Sequence, residues 1–217
     1  MKNDKTSLLN PTENEIKMYV STHEEDWEYS DKLIYFPCVG DAKRLRLCKI
    51  QEKDARGPIR TFLLNWGMMG RVLKRKNYKG WEKRLAETLR GICNQLEEFR
   101  KLNLENTDIS SQKDNVKRCY EVVSNIVGPT SAGKTLHVIC PNFFPLWDLG
   151  IREKVSEERR GLGKAGIGRS ATGYYNFMVE IQGFLKRYAK ILSELSRKYS
   201  KSKLRIIDEF MWRGADD

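Results

Sequence analysis

Two stretches of this sequence hold residues whose types and spacing could do chemistry. The first is "IVGPTSAGKTLH" (126–137), which contains Gly128-x-x-x-x-Gly133-Lys134-Thr135. That is the spacing of a phosphate-cradling loop, in which glycine amides face the phosphates, the lysine reaches the terminal ones and the threonine hydroxyl meets Mg²⁺. The second is Asp148 in "FFPLWDLGI" (143–151), a carboxylate set just before a segment able to start a helix. An anion at a helix N-terminus stays ionised and is aimed by the backbone, as a group that must stabilise developing positive charge needs to be. A run "LRIIDE" (204–209) resembles the acidic strand that accompanies such loops. It fits equally a short amphipathic helix with Ile206, Ile207, Phe210 and Met211 facing inward.

The elements needed to position a nucleotide loop are not legible. Such a loop follows a buried strand and opens a long helix. Here the preceding residues have a helical period: Val116, Cys119 or Tyr120, Val123 and Ile126 or Val127 share one face, after a cap candidate at Ser110-Ser111. Pro141 falls seven residues past Lys134 and limits any helix begun there to about two turns. Elsewhere, too, the periodicity is mostly helical. Leu85, Leu89, Ile92, Leu96 and Phe99 form one stripe between 81 and 102. Phe177, Ile181, Phe184, Tyr188, Ile191 and Leu195 form another between 174 and 199. Residues 58–74 read as a helix opened by Pro58. Strand-like runs are few, "LIYFPCV" (33–39) and "LRLCKI" (45–50), within an irregular N-terminal fifth. The expected fold class is mainly α, in one globular unit over 1–217.

The composition limits the class of partner. Lys and Arg number 40 against 29 Asp and Glu, a formal charge of +11, which favours a polyanion, with nucleic acid ahead of a membrane surface. The five cysteines are scattered, odd in number and without a CxxC pair, and there are two histidines, so neither a disulfide framework nor a zinc site is expected. Residues 1–15 lack an apolar leader core, and no stretch approaches the roughly 18 apolar residues of a spanning helix; the expected location is cytoplasmic. The Gly-rich, basic stretch 159–173 reads as a flexible surface loop, with Arg159, Arg160, Lys164 and Arg169 as candidate contacts to a nucleic-acid backbone.

Read as helix, tight turn, helix, the same "GPTSAGKT" still offers an anion site. Gly128-Pro129 would turn the chain, and Thr130 or Ser131 would cap a second helix running to about Cys140. Residues 127–155, "VGPTSAGKTLHVICPNFFPLWDLGIREKV", resemble the hairpin and catalytic-aspartate segment of the helix-hairpin-helix DNA glycosylases, which include the adenine, thymine-glycol and 8-oxoguanine glycosylases. Val127, Gly128 and Ala132 match the hairpin pattern, with Ser131 in place of its threonine. Asp148 stands sixteen positions after Ala132, in an apolar-Pro-apolar-x-Asp run like the family's.

The resemblance implies a two-lobed helical fold with its hairpin and aspartate within 110–158, completed by helices in 57–102 and 174–212. It further implies a monomer on double-stranded DNA, held by Gly128, Thr130, Ser131 and Ala132, and base excision by Asp148, in repair or against phage DNA. The pattern departs in places. Ile126 replaces the first hairpin glycine, and Thr130 stands where lyase-active members carry a Schiff-base lysine. Lys134, a turn later, is the remaining lysine candidate. Without the four-cysteine loop no iron–sulfur cluster is implied, and neither metal nor cofactor is expected. Base flipping needs aromatic walls, for which Trp147, Trp66 and His137, with Phe62, Tyr78 and Trp81, are the candidates. The alternatives are a nucleotide hydrolase or kinase using Lys134 and Thr135, and a helical DNA-binding module without catalysis.

Overall fold

The structure, a computed structural model, describes residues 7–75 and 78–216; part of the stretch 1–15 therefore lies outside the described residues. Twelve α-helices and several shorter helical turns account for the regular structure among them, and there is no strand. The chain divides into two units, one built from both ends (described residues 7–28 and 145–216), the other from the continuous stretch 29–144.

In the terminal unit, α1 (Glu13–Ser30), α9 (Leu149–Gly161), α10 (Ala171–Arg187), α11 (Ala189–Tyr199) and α12 (Lys203–Asp216) enclose Ile16, Val20, Val155, Phe177, Ile181, Phe184, Leu195 and Phe210. The expected stripe over 174–199 is buried except at Tyr188, which is half-buried and where the helix breaks (φ −105°, ψ 24°); its hydroxyl donates to the Pro11 carbonyl at 2.7 Å. The same segment before α1 is gathered by Glu158, which accepts from the Ser7 hydroxyl (2.8 Å) and from the amides of Leu8 (2.6 Å) and Leu9 (2.9 Å), and by Arg187, which donates to the Leu9 carbonyl (3.0 Å). "LRIIDE" is helical, within α12, with Ile206, Ile207, Phe210 and Met211 buried.

The continuous unit opens with a π turn, Asp31–Tyr35, and α2 (Phe36–Arg44). The strand expected at 33–39 is thus replaced by helix, and the N-terminal fifth read as irregular is helical from Glu13 on. Tyr35, Cys38, Val39 and Ala42, spaced by one, three and four, are the buried positions. Pro37 explains the local widening. It has no N–H, and its ring would crowd the carbonyl four residues back. In the π turn the Phe36 amide instead reaches the Asp31 carbonyl, five back. Residues 45–50 form a short 3₁₀ turn, Leu47–Lys49, rather than a strand, and α3 (Glu52–Asp54) comes next.

Pro58 does not open a helix. It sits inside a second π turn, Ala55–Ile59, beside Gly57 with ψ −112°; a third, Phe62–Trp66, precedes α4 (Gly70–Leu73). The stripe over 81–102 is buried but split at Ile92 into α5 (Trp81–Gly91) and α6 (Cys93–Phe99). Contrary to the cysteine count, Cys48 and Cys93 form a disulfide joining the 3₁₀ turn to the start of α6. Odd parity excludes full pairing only, and the spacing of 45 residues gives no sequence signal.

α7 (Lys113–Val127) packs on α5 and on α8 (Pro129–Ile139). Gln112, not Ser110 or Ser111, holds the cap position. Gly128 alone joins α7 to α8, at φ 82° and ψ 164°. That combination is essentially closed to residues with a Cβ, because the side chain would meet its own backbone. A Cβ on Gly128 would also stand 3.1 Å from the Tyr78 hydroxyl oxygen. Gly128→Ala should therefore lower unfolding stability by about 1–3 kcal/mol. Gly183→Ala, at an exposed position inside α10 with nothing within 4 Å, should raise it by about 0.5–1 kcal/mol. Denaturant midpoints of the two variants against the parent check this pair of opposite signs.

Candidate functional site

The hairpin expected at 126–137 is present in the continuous unit, with one difference: the second helix begins at Pro129. Gly128 is its N-cap, and Thr130 and Ser131 are already helical. Proline at the first helical position costs nothing, since its missing N–H would have had no partner there. No loop therefore runs from Gly128 to Gly133. Gly133, Lys134 and Thr135 are interior helix positions, whose amides point along the helix axis toward carbonyls four residues back.

Nor is α8 a surface helix. Ser131, Ala132, Gly133, Thr135, Leu136, His137, Val138 and Ile139 are all buried. Of the positions expected to offer amides to a DNA phosphate, Ala132 is corrected, since its amide donates to the Gly128 carbonyl at 2.9 Å, and Ser131 is buried with it. Gly128 and Thr130 remain partly exposed at the turn. The buried Ser131 and Thr135 hydroxyls have no hydrogen-bond partner among the described residues.

Lys134 is half-buried, and its Nζ donates to the Gly67 carbonyl at 2.8 Å. The turn after Trp66 is tight enough that a Cβ on Gly67 would come 3.1 Å from the Lys134 Cδ. As a catalytic candidate Lys134 is corrected accordingly: its ammonium holds a backbone turn. His137 is corrected as a base-pocket wall. Fully buried, it lies between the Phe144 carbonyl (2.7 Å from Nδ1) and the Tyr35 hydroxyl (2.7 Å from Nε2). A carbonyl oxygen can only accept, so Nδ1 carries the hydrogen and Nε2 accepts from Tyr35. Trp66 is half-buried, stacked on Phe62 with ring centres 4.8 Å apart, and its Nε1 donates to Asp31 at 3.1 Å.

Asp148 lies in the terminal unit as the N-cap of α9, in extended conformation, with Oδ1 accepting from the Ile151 amide at 3.0 Å. Its other carboxylate oxygen has no partner among the described residues. The group is half-buried, and Leu149 and Gly150 beside it are exposed, so one face of the helix start is open. Trp147 does not line that opening. It is 0% exposed, packed on Tyr174 and Phe177 with the Arg152 guanidinium over its ring. This corrects its reading as a base-pocket wall.

The basic stretch is anchored. Residues 159–161 complete α9, and the loop after them is fastened at three points. Ser156 and Ile167 exchange two hydrogen bonds (2.9 and 2.8 Å), Arg159 Nε donates to the Ala165 carbonyl (2.8 Å), and the Lys164 amide donates to the Arg159 carbonyl (2.8 Å). Arg159 is buried and ion-paired with Glu180, which corrects it as a DNA contact. Lys164, also near Glu180 (3.3 Å), Arg160 and Arg169 are exposed.

A cluster that periodicity did not single out lies in the terminal unit. Arg205 meets Asp208, Glu209 (3.1 Å) and His23 Nε2 (3.0 Å), while Lys201 meets Glu24 and Glu209 (2.7 Å). Its one signal was acidic and basic residues alternating with the apolar stripe of α12. Burial pushes the Glu209 carboxyl up to about 8, outweighing Arg205 and Lys201. Burial likewise raises the thiols of Cys38, Cys119 and Cys140, so none is poised as a nucleophile.

No family model, curated protein or solved structure matches the chain. No helix among the described residues is long and apolar enough to cross a membrane.

The buried polar groups set two expectations for stability. His137→Leu strands the Tyr35 hydroxyl and the Phe144 carbonyl and should cost about 2–4 kcal/mol, with Tyr35→Phe milder, as read from denaturant melts. Glu209 holds a proton in the fold that the unfolded chain has released. Its contribution is thus complete below about 4.5 and is lost as pH rises through about 8. Stability measured from pH 5 to 8.5 should fall with rising pH, and Glu209→Gln should remove that part of the slope.

Proposed function

We propose that this chain is a DNA N-glycosylase that releases a modified base from duplex DNA and leaves an abasic site. The observation that carries the reading is Asp148. Its carboxylate is fixed through one oxygen to a helix N-terminus, has the other oxygen uncommitted, and stands beside an open surface. The order of elements supports it: α7, a glycine turn, α8, an apolar segment with proline, then an aspartate opening α9. So does the net charge of +11. As the C1′–N bond breaks, its electron pair leaves with the base and the sugar becomes oxocarbenium-like. The free oxygen of Asp148 stabilises that cation and orients the water whose hydroxyl adds to C1′, while the proton that water loses neutralises the departing base. With Thr130 at the lyase-lysine position and Lys134 bonded to Gly67, the reaction ends at hydrolysis.

Base release is the direct test, using duplexes carrying oxidised, alkylated or hypermodified bases. Asp148→Asn should reduce single-turnover release by on the order of 10²–10³, while DNA affinity changes less than about threefold. Release at the parent rate by Asp148→Asn, or no release from any duplex by the parent, ends the proposal.

A further inference from the structure

The continuous unit contains a cleft of about 280 Å³ whose polar lining is Arg60, Lys74, Arg75, Tyr78, Lys79 and Glu82. Its charge is one-sided. Four cations line it against a single carboxylate, Glu82, which lies 3.3 Å from Arg60. Lys74, Arg75 and Lys79 are exposed and have no ion-pair partner among the described residues. Like charges gathered round one small concavity repel one another, and an anion inside it relieves that repulsion. The described residues of 71–84 concentrate the same sign, with six Lys and Arg and one acid.

The rest of the lining narrows the class of anion. Leu64, Leu73 and the buried Trp81 give an apolar floor, and Tyr78 presents a half-buried ring. A flat ring joined to a phosphate suits that mixture better than a bare inorganic ion, because ring and phosphate each meet their own kind of surface. The volume lies just under the range of about 300–1,000 Å³ usual for small-molecule pockets, enough for one nucleotide unit and no more. α5 also starts at this cleft, with Gly80 at φ 69° and no side-chain cap, so its first-turn N–H groups add to the positive field. The Tyr78 hydroxyl abuts the Gly128 turn, joining the cleft wall to the hairpin.

We infer that this cleft is a binding site for a single phosphate-bearing nucleotide, with Lys74, Arg75 and Lys79 on the phosphate and Tyr78 on the ring. Glu82 is the competing anion that keeps Arg60 occupied when the cleft is empty. The phosphate belongs to a nucleotide of DNA held outside the stack, which rests on the reading of the chain as a DNA enzyme. A free nucleotide offers the same chemistry.

The test uses the full chain, a labelled duplex and a labelled single strand read by fluorescence anisotropy across a salt series, and deoxynucleoside monophosphates read by calorimetry. Lys74→Gln/Lys79→Gln should weaken single-strand binding by on the order of tenfold and reduce the salt slope by between one and two. Glu82→Gln should tighten it, a change of sign that a merely structural role would not produce. Thermal melts of the parent and the Lys74→Gln/Lys79→Gln protein should agree, since both lysines are at the surface.

If the parent binds DNA but the variants bind it unchanged, the cleft assignment is overturned and the glycosylase reading stands. If monophosphate binds, responds to the variants with these signs, and no polymer binds, the cleft assignment holds and the DNA reading falls. If neither ligand binds, both fall.

Discussion

The continuous unit depends on one constraint, the burial of α8 on nearly every side. α7, α2 and the 62–66 turn all pack against it. A helix so enclosed can be approached closely only if its side chains are small, and Ser131, Ala132, Gly133 and Thr135 supply that over its first turns. The small residues that spell a nucleotide loop as text are thus those that a fully enclosed helix needs for packing. The Ser131 and Thr135 hydroxyls have no partner among the described residues, but the two larger polar groups of the helix do. His137 bridges Tyr35 and Phe144, and Lys134 sends its ammonium outward along the helix to Gly67. Gly128 makes the arrangement reachable, because a single residue reverses the chain between two packed helices.

Much of the fold was legible because most helices are two-faced. The stripes of α5 and α6, of α7, and of α10 and α11 are buried residue for residue, apart from the half-buried Tyr188. What periodicity misses is where a stripe breaks, since Ile92 and Tyr188 keep the apolar spacing while leaving helical dihedrals. The supposed strands failed for a different reason. Residues 33–39 are rich in β-forming types, but burial at Tyr35, Cys38, Val39 and Ala42 follows a helical spacing, and tertiary context overrides propensity. α8 has no stripe to read, because a helix buried all round has no polar face.

The candidate site was legible in proportion to how local its interactions are. Asp148 as an N-cap is a three-residue interaction and could be anticipated. Arg159 could not be told from its neighbour Arg160, because its partner Glu180 lies a helix away, and Trp147 became core through Tyr174 and Phe177. The cluster around Arg205 is the extreme case. Residues from α1 and the start of α12 meet across most of the sequence, and only their chemistry in three dimensions shows why so many charges lie inside.

The loop after α9 has the composition of a tether: glycine-rich, basic and short of apolar residues. Ser156 nonetheless grips Ile167 in both directions, Arg159 holds Ala165, and Ile167 is buried. Arg160, Lys164 and Arg169 are therefore carried on a surface that has already lost its freedom during folding. A polyanion meeting them would not have to order the backbone that bears them. That entropy is surrendered once, when the chain folds, and not again at each encounter.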